Sequence, residues 1–390
     1  MSVTLDDFSS DKTHDDMRKI LTLTALTAAV LAVSCNGNSN KENSDQEPVV
    51  PETPAVFAEG ADISWATEMA DDGIKFFNAA GEERECTALM QELGFDAVRY
   101  RVWVNPPEGW CAKEDVVAKA KVASDLGMRI MIDFHYSDWW ADPQQQNKPD
   151  AWKDYSFEEL CRAIQNHTRE VLTALKDEGI TPEWVQVGNE TSDGMLWDTG
   201  KASASGQASV SMSNYAVMTT AGYNAVKEIF PDAKVIVHLD HGDRPSLYEW
   251  IFDGLQSNGG KWDMIGMSIY PEYYAHESES EYQDGDYKTV TDATLSNIQE
   301  LYSKYGTPVM ICEAGMNWDK ADECYDFLSD LITRAKALDN GACAGVFYWE
   351  PQCNPAWLSD IYEEKGWGPY TKGAFDENFR PTRALDAFKD

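Results

Sequence analysis

Apolar and polar positions follow two different periods along this chain. From residue 56 onward, short apolar or β-branched runs are followed by loops, and then by longer stretches whose apolar residues recur at helical spacing. The runs 56–63, 97–103, 129–135, 184–188, 234–239, 264–269, 309–312 and 345–349 read as strands. The stretches 82–93, 113–126, 157–178, 214–229, 245–257, 292–305, 322–338 and 381–388 read as helices. Gly94, Gly127 and Gly179 stand just past the first three, as helix stops do. The runs VIVHL, MIGMSI and VMIC are apolar on both faces, which suits parallel strands covered on two sides. Eight strand–helix units within residues 56–390 predict one α/β domain, a (β/α)8 TIM barrel. A doubly wound sheet is the rival, but no Gly-rich phosphate turn follows the first strand.

The first 55 residues follow neither period. Met17-Arg18-Lys19 opens a basic segment, 20–33 is apolar but short for a membrane span, and the small residues Ala32, Val33 and Ser34 lead to Cys35. That is the plan of a secretory signal over 1–35. A cysteine directly after the small residues resembles a bacterial lipoprotein signal, which implies cleavage before Cys35 and acylation of it. Residues 1–16 are polar and acidic, unlike a signal's start, so the precursor is read as beginning at Met17. Residues 36–55 are polar and Pro-bearing, and read as a disordered tether. The expectation is an exported monomer, lipid-anchored at Cys35 to the cell envelope, on the outer membrane or cell surface.

Charge narrows the partner. The chain has 67 acidic and 32 basic residues, a formal charge of −35. Removing 1–35 takes away five acids and three bases and leaves −33, so the acidity belongs to the exported domain. Nucleic acid and anionic membrane surfaces need a basic face and are excluded as partners of the folded part. A neutral glycan fits, and 14 Trp supply flat rings for it. Seven cysteines follow Cys35, and their spacing shows no zinc pattern. They read as buried thiols, or as one or two bridges with at least one thiol left free. No metal or cofactor is expected.

In a barrel of this kind the carboxyl ends of the strands form the active face. Polar and aromatic residues stand there in every unit: Asp62 and Ser64; Arg99, Arg101, Trp103 and Asn105; Asp133, His135 and Trp139-Trp140; Asn189-Glu190; His238 and Asp240; Tyr270; Glu313; Trp349-Glu350. A Glu at one strand end is more often a solvated loop acid. Glu190 and Glu313 end the fourth and seventh strands, on opposite sides of the mouth, where two carboxyls face each other as glycosidic cleavage requires. One would protonate the leaving oxygen while the other attacks the sugar. Arg99 would favour an ionised nucleophile. Asn189 would bond a sugar hydroxyl, Tyr270 would orient the nucleophile, and Trp349 would offer a floor to a sugar ring. His135 and His238 read either as hydroxyl-binding or as structural imidazoles. Trp139-Trp140 and Trp103 read as outer sugar platforms or as core.

The strings GADISW (60–65), VRYRVWVNP (98–106), DFHYSDWWADPQQQNKP (133–149), WVQVGNE (184–190), VHLDHG (237–242), SIYP (268–271), ICEAG (311–315) and YWEP (348–351) resemble family 53 glycoside hydrolases, the endo-β-1,4-galactanases of clan A. The resemblance spans residues 56–390. It implies a barrel that hydrolyses β-1,4-galactan, a pectin side chain, with retention. It implies Glu190 as acid/base and Glu313 as nucleophile. It implies substrate contacts from Arg99, His135, Asn189, His238, Tyr270 and Trp349, to which the reading of the residues adds Trp139 as an outer platform. Some bacterial members hold calcium in a loop after strand seven. Here NWDKADECYDF (317–327) lacks the D-x-D-x-H-x-N spacing, so no calcium is expected. Two alternatives stay open: another clan-A endoglycanase, acting on mannan, xylan or cellulose, or a surface lipoprotein that binds glycan without cleaving it. The paired glutamates favour the enzyme, since binding alone does not need them.

Overall fold

The structure, a computed structural model, describes residues 56–203, 208–276, 283 and 286–389. The signal segment, Cys35 and the tether lie outside the described residues. Eight parallel strands close a barrel: β1 (Ala58–Asp62), β2 (Ala97–Val102), β3 (Arg129–Phe134), β4 (Trp184–Val187), β5 (Lys234–Leu239), β6 (Met264–Ile269), β7 (Val309–Ala314) and β8 (Cys343–Trp349). Each strand pairs with its neighbours in sequence, and β8 returns to β1. Around them run α1 (Cys86–Glu92), α2 (Lys113–Asp125), α3 (Phe157–Asp177), α4 (Ala208–Ile229), α5 (Pro245–Ser257), α6 (Tyr287–Tyr305) and α7 (Ala321–Lys336).

Local chemistry explains the boundaries. Ser156 and Glu159 form a reciprocal cap at the start of α3, satisfying two otherwise orphaned donors. Its buried face follows at Leu160, Ile164, Thr168, Val171, Leu172 and Leu175, the spacing of one helical stripe. Gly94, Gly127 and Gly179 take left-handed backbone past α1, α2 and α3. The helix expected at 82–93 starts later, because Glu83–Arg84 pairs with Phe76–Phe77 as a hairpin and Glu85 caps α1 by accepting from the Ala88 amide. The eighth helix, expected at 381–388, is a 3-10 turn over Arg383–Phe388 that lays Phe388 against Phe95, ring centres 4.3 Å apart.

The barrel interior changes character along its axis. Side chains at i, i+2 and i+4 of a strand share one face. At the amino end the inward layer is apolar: Ala58, Ala97, Met131, Trp184, Ile236, Met264, Met310 and Phe347. Two residues further along β2, β3, β4 and β5 stand Arg99, Asp133, Gln186 and His238, all buried and bonded to one another. The outward faces, among them Val98, Tyr100, Ile130, Ile132, Val185 and Val237, pack beneath the helices. A dry plug therefore supports a buried polar platform, and the platform carries the site.

Candidate active site

Glu190 leaves β4 through Gly188, whose φ of +99° turns the chain and whose missing Cβ would meet Thr191 Cγ2 at 2.6 Å. Glu190 itself has φ +44°, a left-handed conformation that costs a non-glycine residue about 1–2 kcal/mol. Its amide points to His238 Nδ1 (3.4 Å), and Gln146 Nε2 donates to the Asn189 carbonyl (2.8 Å). Glu313 reaches the interior through a bulge. Met310 and Cys312 already face the barrel core, so strict alternation would turn Glu313 outward. The register between β6 and β7 slips there, pairing Met267 with Ile311 but Ser268 with Glu313. The extra residue rotates Glu313 inward. A carboxylate oxygen of Glu190, one of Glu313 and a ring nitrogen of His238 all lie within 4.8 Å of one another.

The two carboxyls have different neighbours. Arg99 Nη2 lies 3.0 Å from Glu313 Oε1, and the Tyr270 hydroxyl donates to Glu313 Oε2 at 2.9 Å. The same guanidinium holds Asp62 (2.8 Å), Asp133 (2.9 Å), Asn189 Oδ1 (2.8 Å) and Gln186 Oε1 (2.7 Å). Among the described residues Glu190 receives one side-chain donor, the Ser268 hydroxyl, at 2.6 Å. Ser268 is in turn 2.9 Å from His238 Nε2, and Gln186 Nε2 lies 3.0 Å from His238 Nδ1. Because Ser268 spends its proton on Glu190, His238 is an Nε2–H donor to Ser268 and accepts from Gln186. Burial, with Arg99 beside it, pushes the His238 pKa well below its ordinary value, so the ring is neutral.

Burial raises the pKa of both carboxyls. For Glu190 the charge of Glu313 and that of Asp240 add to burial, and the Ser268 hydroxyl opposes. For Glu313 the Arg99 guanidinium and the Tyr270 hydroxyl pull back. Glu190 therefore keeps its proton to higher pH than Glu313, and the pair stands as one acid facing one base.

An open cleft of about 1170 Å³ lies over them. Asn189, Glu190, Tyr270, Glu313 and Trp349 line it, together with Trp140, Tyr273, Tyr362 and Trp367 and with Asp142, Ser192, Asp240 and Arg244. Arg99, His135 and His238, expected to touch substrate, lie instead beneath this lining, at most 3% exposed. His135 spends both ring nitrogens on the protein: Nε2 meets Asp133 at 3.0 Å and Nδ1 accepts from the Ala141 amide at 3.0 Å. Trp139 is half-buried at the rim, stacked on Trp367 with centres 6.2 Å apart. Trp103 is core, 1% exposed, and Trp140 lines the cleft although only 7% exposed. Sequence reasoning missed Ser268, Gln186 and Gln146. Ser268 lies inside the quoted SIYP string, but a lone serine carries no spacing that marks it.

The loop after β7 does not fit a divalent cation. Its buried acid neighbour Glu272 is matched by two ammonium groups, Lys320 and Lys372, each at 2.7 Å. Glu190, His238 and Glu313 offer three ligand atoms, but Tyr270, Ser268 and the Arg99 cation already engage them.

Related proteins share this arrangement of chain. An uncharacterised protein from the bgaB 5′ region of Niallia circulans is 30% identical over 363 residues, 86% of this chain and 94% of that protein. The arabinogalactan endo-β-1,4-galactanase of Humicola insolens is 28% identical, over 76% of this chain and 89% of that enzyme. The catalytic domain of a family 53 enzyme from Ignisphaera aggregans superposes with a TM-score of 0.73 at 28% identity, covering 87% of this chain and 97% of that one. The family model for glycosyl hydrolase family 53 matches residues 58–388. With nearly the whole described barrel inside that match, the chain belongs to glycosyl hydrolase family 53.

Proposed function

We propose that this glycoside hydrolase is a retaining endo-β-1,4-galactanase. The observation that carries the reading is the approach of Glu190 and Glu313 to within 4.8 Å between carboxylate oxygens, in an open cleft. Retaining enzymes hold their carboxyls about 5–5.5 Å apart, and inverting enzymes leave about 6.5–9.5 Å for a water. Glu190 donates its proton to the leaving oxygen while Glu313, ionised beside Arg99, attacks the anomeric carbon. A covalent glycosyl-enzyme forms through an oxocarbenium-like transition state. Glu190 then takes a proton from water, which releases the sugar with its configuration kept. Asn189 is held by Arg99 and the Ala141 carbonyl beside this position, and Trp349 faces the chain.

The named activity of the Humicola relative supports galactan as the substrate. We extend the proposal to export, with a lipid on Cys35 holding a monomeric enzyme at the cell envelope.

Glu313→Ala tests the core of this reading. Turnover of linear β-1,4-galactan falls by at least about 10³-fold, and azide restores cleavage with an inverted product. Activity close to that of the unaltered enzyme would end the assignment. Release of reducing ends from mannan, xylan or cellulose, but not galactan, would move the enzyme elsewhere in the clan.

A further inference from the structure

Arg99 and Arg101 stand two residues apart on β2 and share its inward face. The first gathers carboxylates, and the second gathers indoles. The Arg101 guanidinium carbon lies 4.1 Å from the ring centre of Trp65, 4.2 Å from Trp140 and 4.9 Å from Trp103. Its Nη1 pairs with Glu350, which is fully buried. Its Nε and Nη2 are buried and meet no hydrogen-bond acceptor among the described residues, and ring faces take the acceptors' place. Trp65 follows β1, Trp103 follows β2, Trp140 belongs to the loop after β3, and Glu350 follows β8. One cation thus joins four loops at the mouth of the barrel.

The cage continues into the cleft. Trp140 lines it and meets Trp349 edge-on, with centres 5.6 Å apart. Trp65 and Trp140 both pack on Tyr362, at 5.8 and 6.1 Å. Trp349 and Tyr362 are themselves lining residues. We propose that Arg101 is a positioning residue that sets the aromatic wall of the cleft, and with it the grip on the glycan chain, while the chemistry at Glu190 and Glu313 is left to Arg99. The proposal deepens the galactanase reading and rests on it for the identity of the glycan. A planar guanidinium serves three ring faces and a carboxylate at once, which the point charge of a lysine does not.

The test is Arg101→Lys, which keeps the charge and the Glu350 pair and loses the plane, with Arg101→Met as the harsher companion. On linear galactan below the melting temperature, KM of Arg101→Lys rises about tenfold, equivalent to about 1.4 kcal/mol of binding. Its kcat stays within about twofold, the signature of lost uniform binding. The near-ultraviolet circular dichroism of the coupled indoles weakens in the same variant. An unchanged KM with an unchanged indole signal would overturn the proposal, and so would a fall in kcat at constant KM. Should Arg101→Met not fold, Arg101→Lys decides. If the unaltered enzyme does not cleave galactan, the functional reading fails, and the indole signal of Arg101→Lys still decides whether Arg101 orders the rings.

Discussion

Tyr270 and Ser268 each give one hydroxyl proton to one of two facing carboxyls, and each bond lowers the pKa of the carboxyl it meets, while burial, the neighbouring carboxylates and Arg99 set which carboxyl is acid and which is base. A hydrogen bond to a charged group is worth about 1.5–3 kcal/mol, and 1.36 kcal/mol is one pKa unit. Tyr270 favours the ionised form of Glu313 and so lowers its pKa. Its loss raises that pKa, and activity that needs ionised Glu313 is then lost at higher pH. In Tyr270→Phe the acid limb of the kcat/KM profile moves up by about one to two units. Ser268 holds Glu190 down in the same way. Its loss lets Glu190 keep its proton longer, so in Ser268→Ala the alkaline limb moves up and the acid limb stays. A profile whose limbs move together, or not at all, would contradict the separate roles. At this scale the sequence showed the two glutamates, because a strand end in a barrel is an address. It did not show that Arg99, His135 and His238 sit beneath the cleft, because depth below a surface depends on loops whose paths leave no periodic trace. It did not show the bulge that turns Glu313 inward either, since VMIC is apolar on both faces and carries no alternation in which a slip of register would show.

Among elements, β1 and β8 approach most tightly where Gly60 meets Phe347. A Cβ on Gly60 would stand 2.2 Å from the ring, and Phe347 is fully buried in the barrel floor. The ring has no flexible end to move aside, so Gly60→Ala forces the strands apart. Overpacking of this kind costs about 1–3 kcal/mol, which denaturant unfolding of Gly60→Ala reads as a lowered midpoint with an unchanged slope. A midpoint equal to that of the unaltered protein would show that the floor yields. Strands and long helices were legible because burial on one or both faces imposes a period, as α3 shows with its cap and single stripe. Short elements were not. The hairpin Phe76–Phe77 with Glu83–Arg84, the helix Ala66–Asp71 and the turn Arg383–Phe388 span too few residues for any period to repeat. Tertiary contacts rather than local preference decide them.

Across the whole molecule, the question is what stabilises a strongly acidic domain, proposed to work outside the cytoplasm, against its own charge. Disulfides are one answer in oxidising surroundings. Among the described residues all seven cysteines are free thiols, six of them buried and Cys161 half-buried. Burial raises the pKa of Cys86, Cys312, Cys324, Cys343 and Cys353, which suppresses the thiolate that oxidation needs. The remaining answer is size: a domain of about 300 residues buries roughly three quarters of its unfolded surface, enough for a core to suffice without staples. Dithiothreitol should therefore leave the melting temperature where it is. A native disulfide would contribute about 2–4 kcal/mol, and its reduction would lower the melting temperature by several degrees. A thiol reagent should label Cys161 in the native domain and the other six only after unfolding. A drop in melting temperature on reduction would mean that bridges rather than the core carry this domain's stability, and rapid native labelling of the six buried thiols would mean that the core around them opens far more readily than their burial implies.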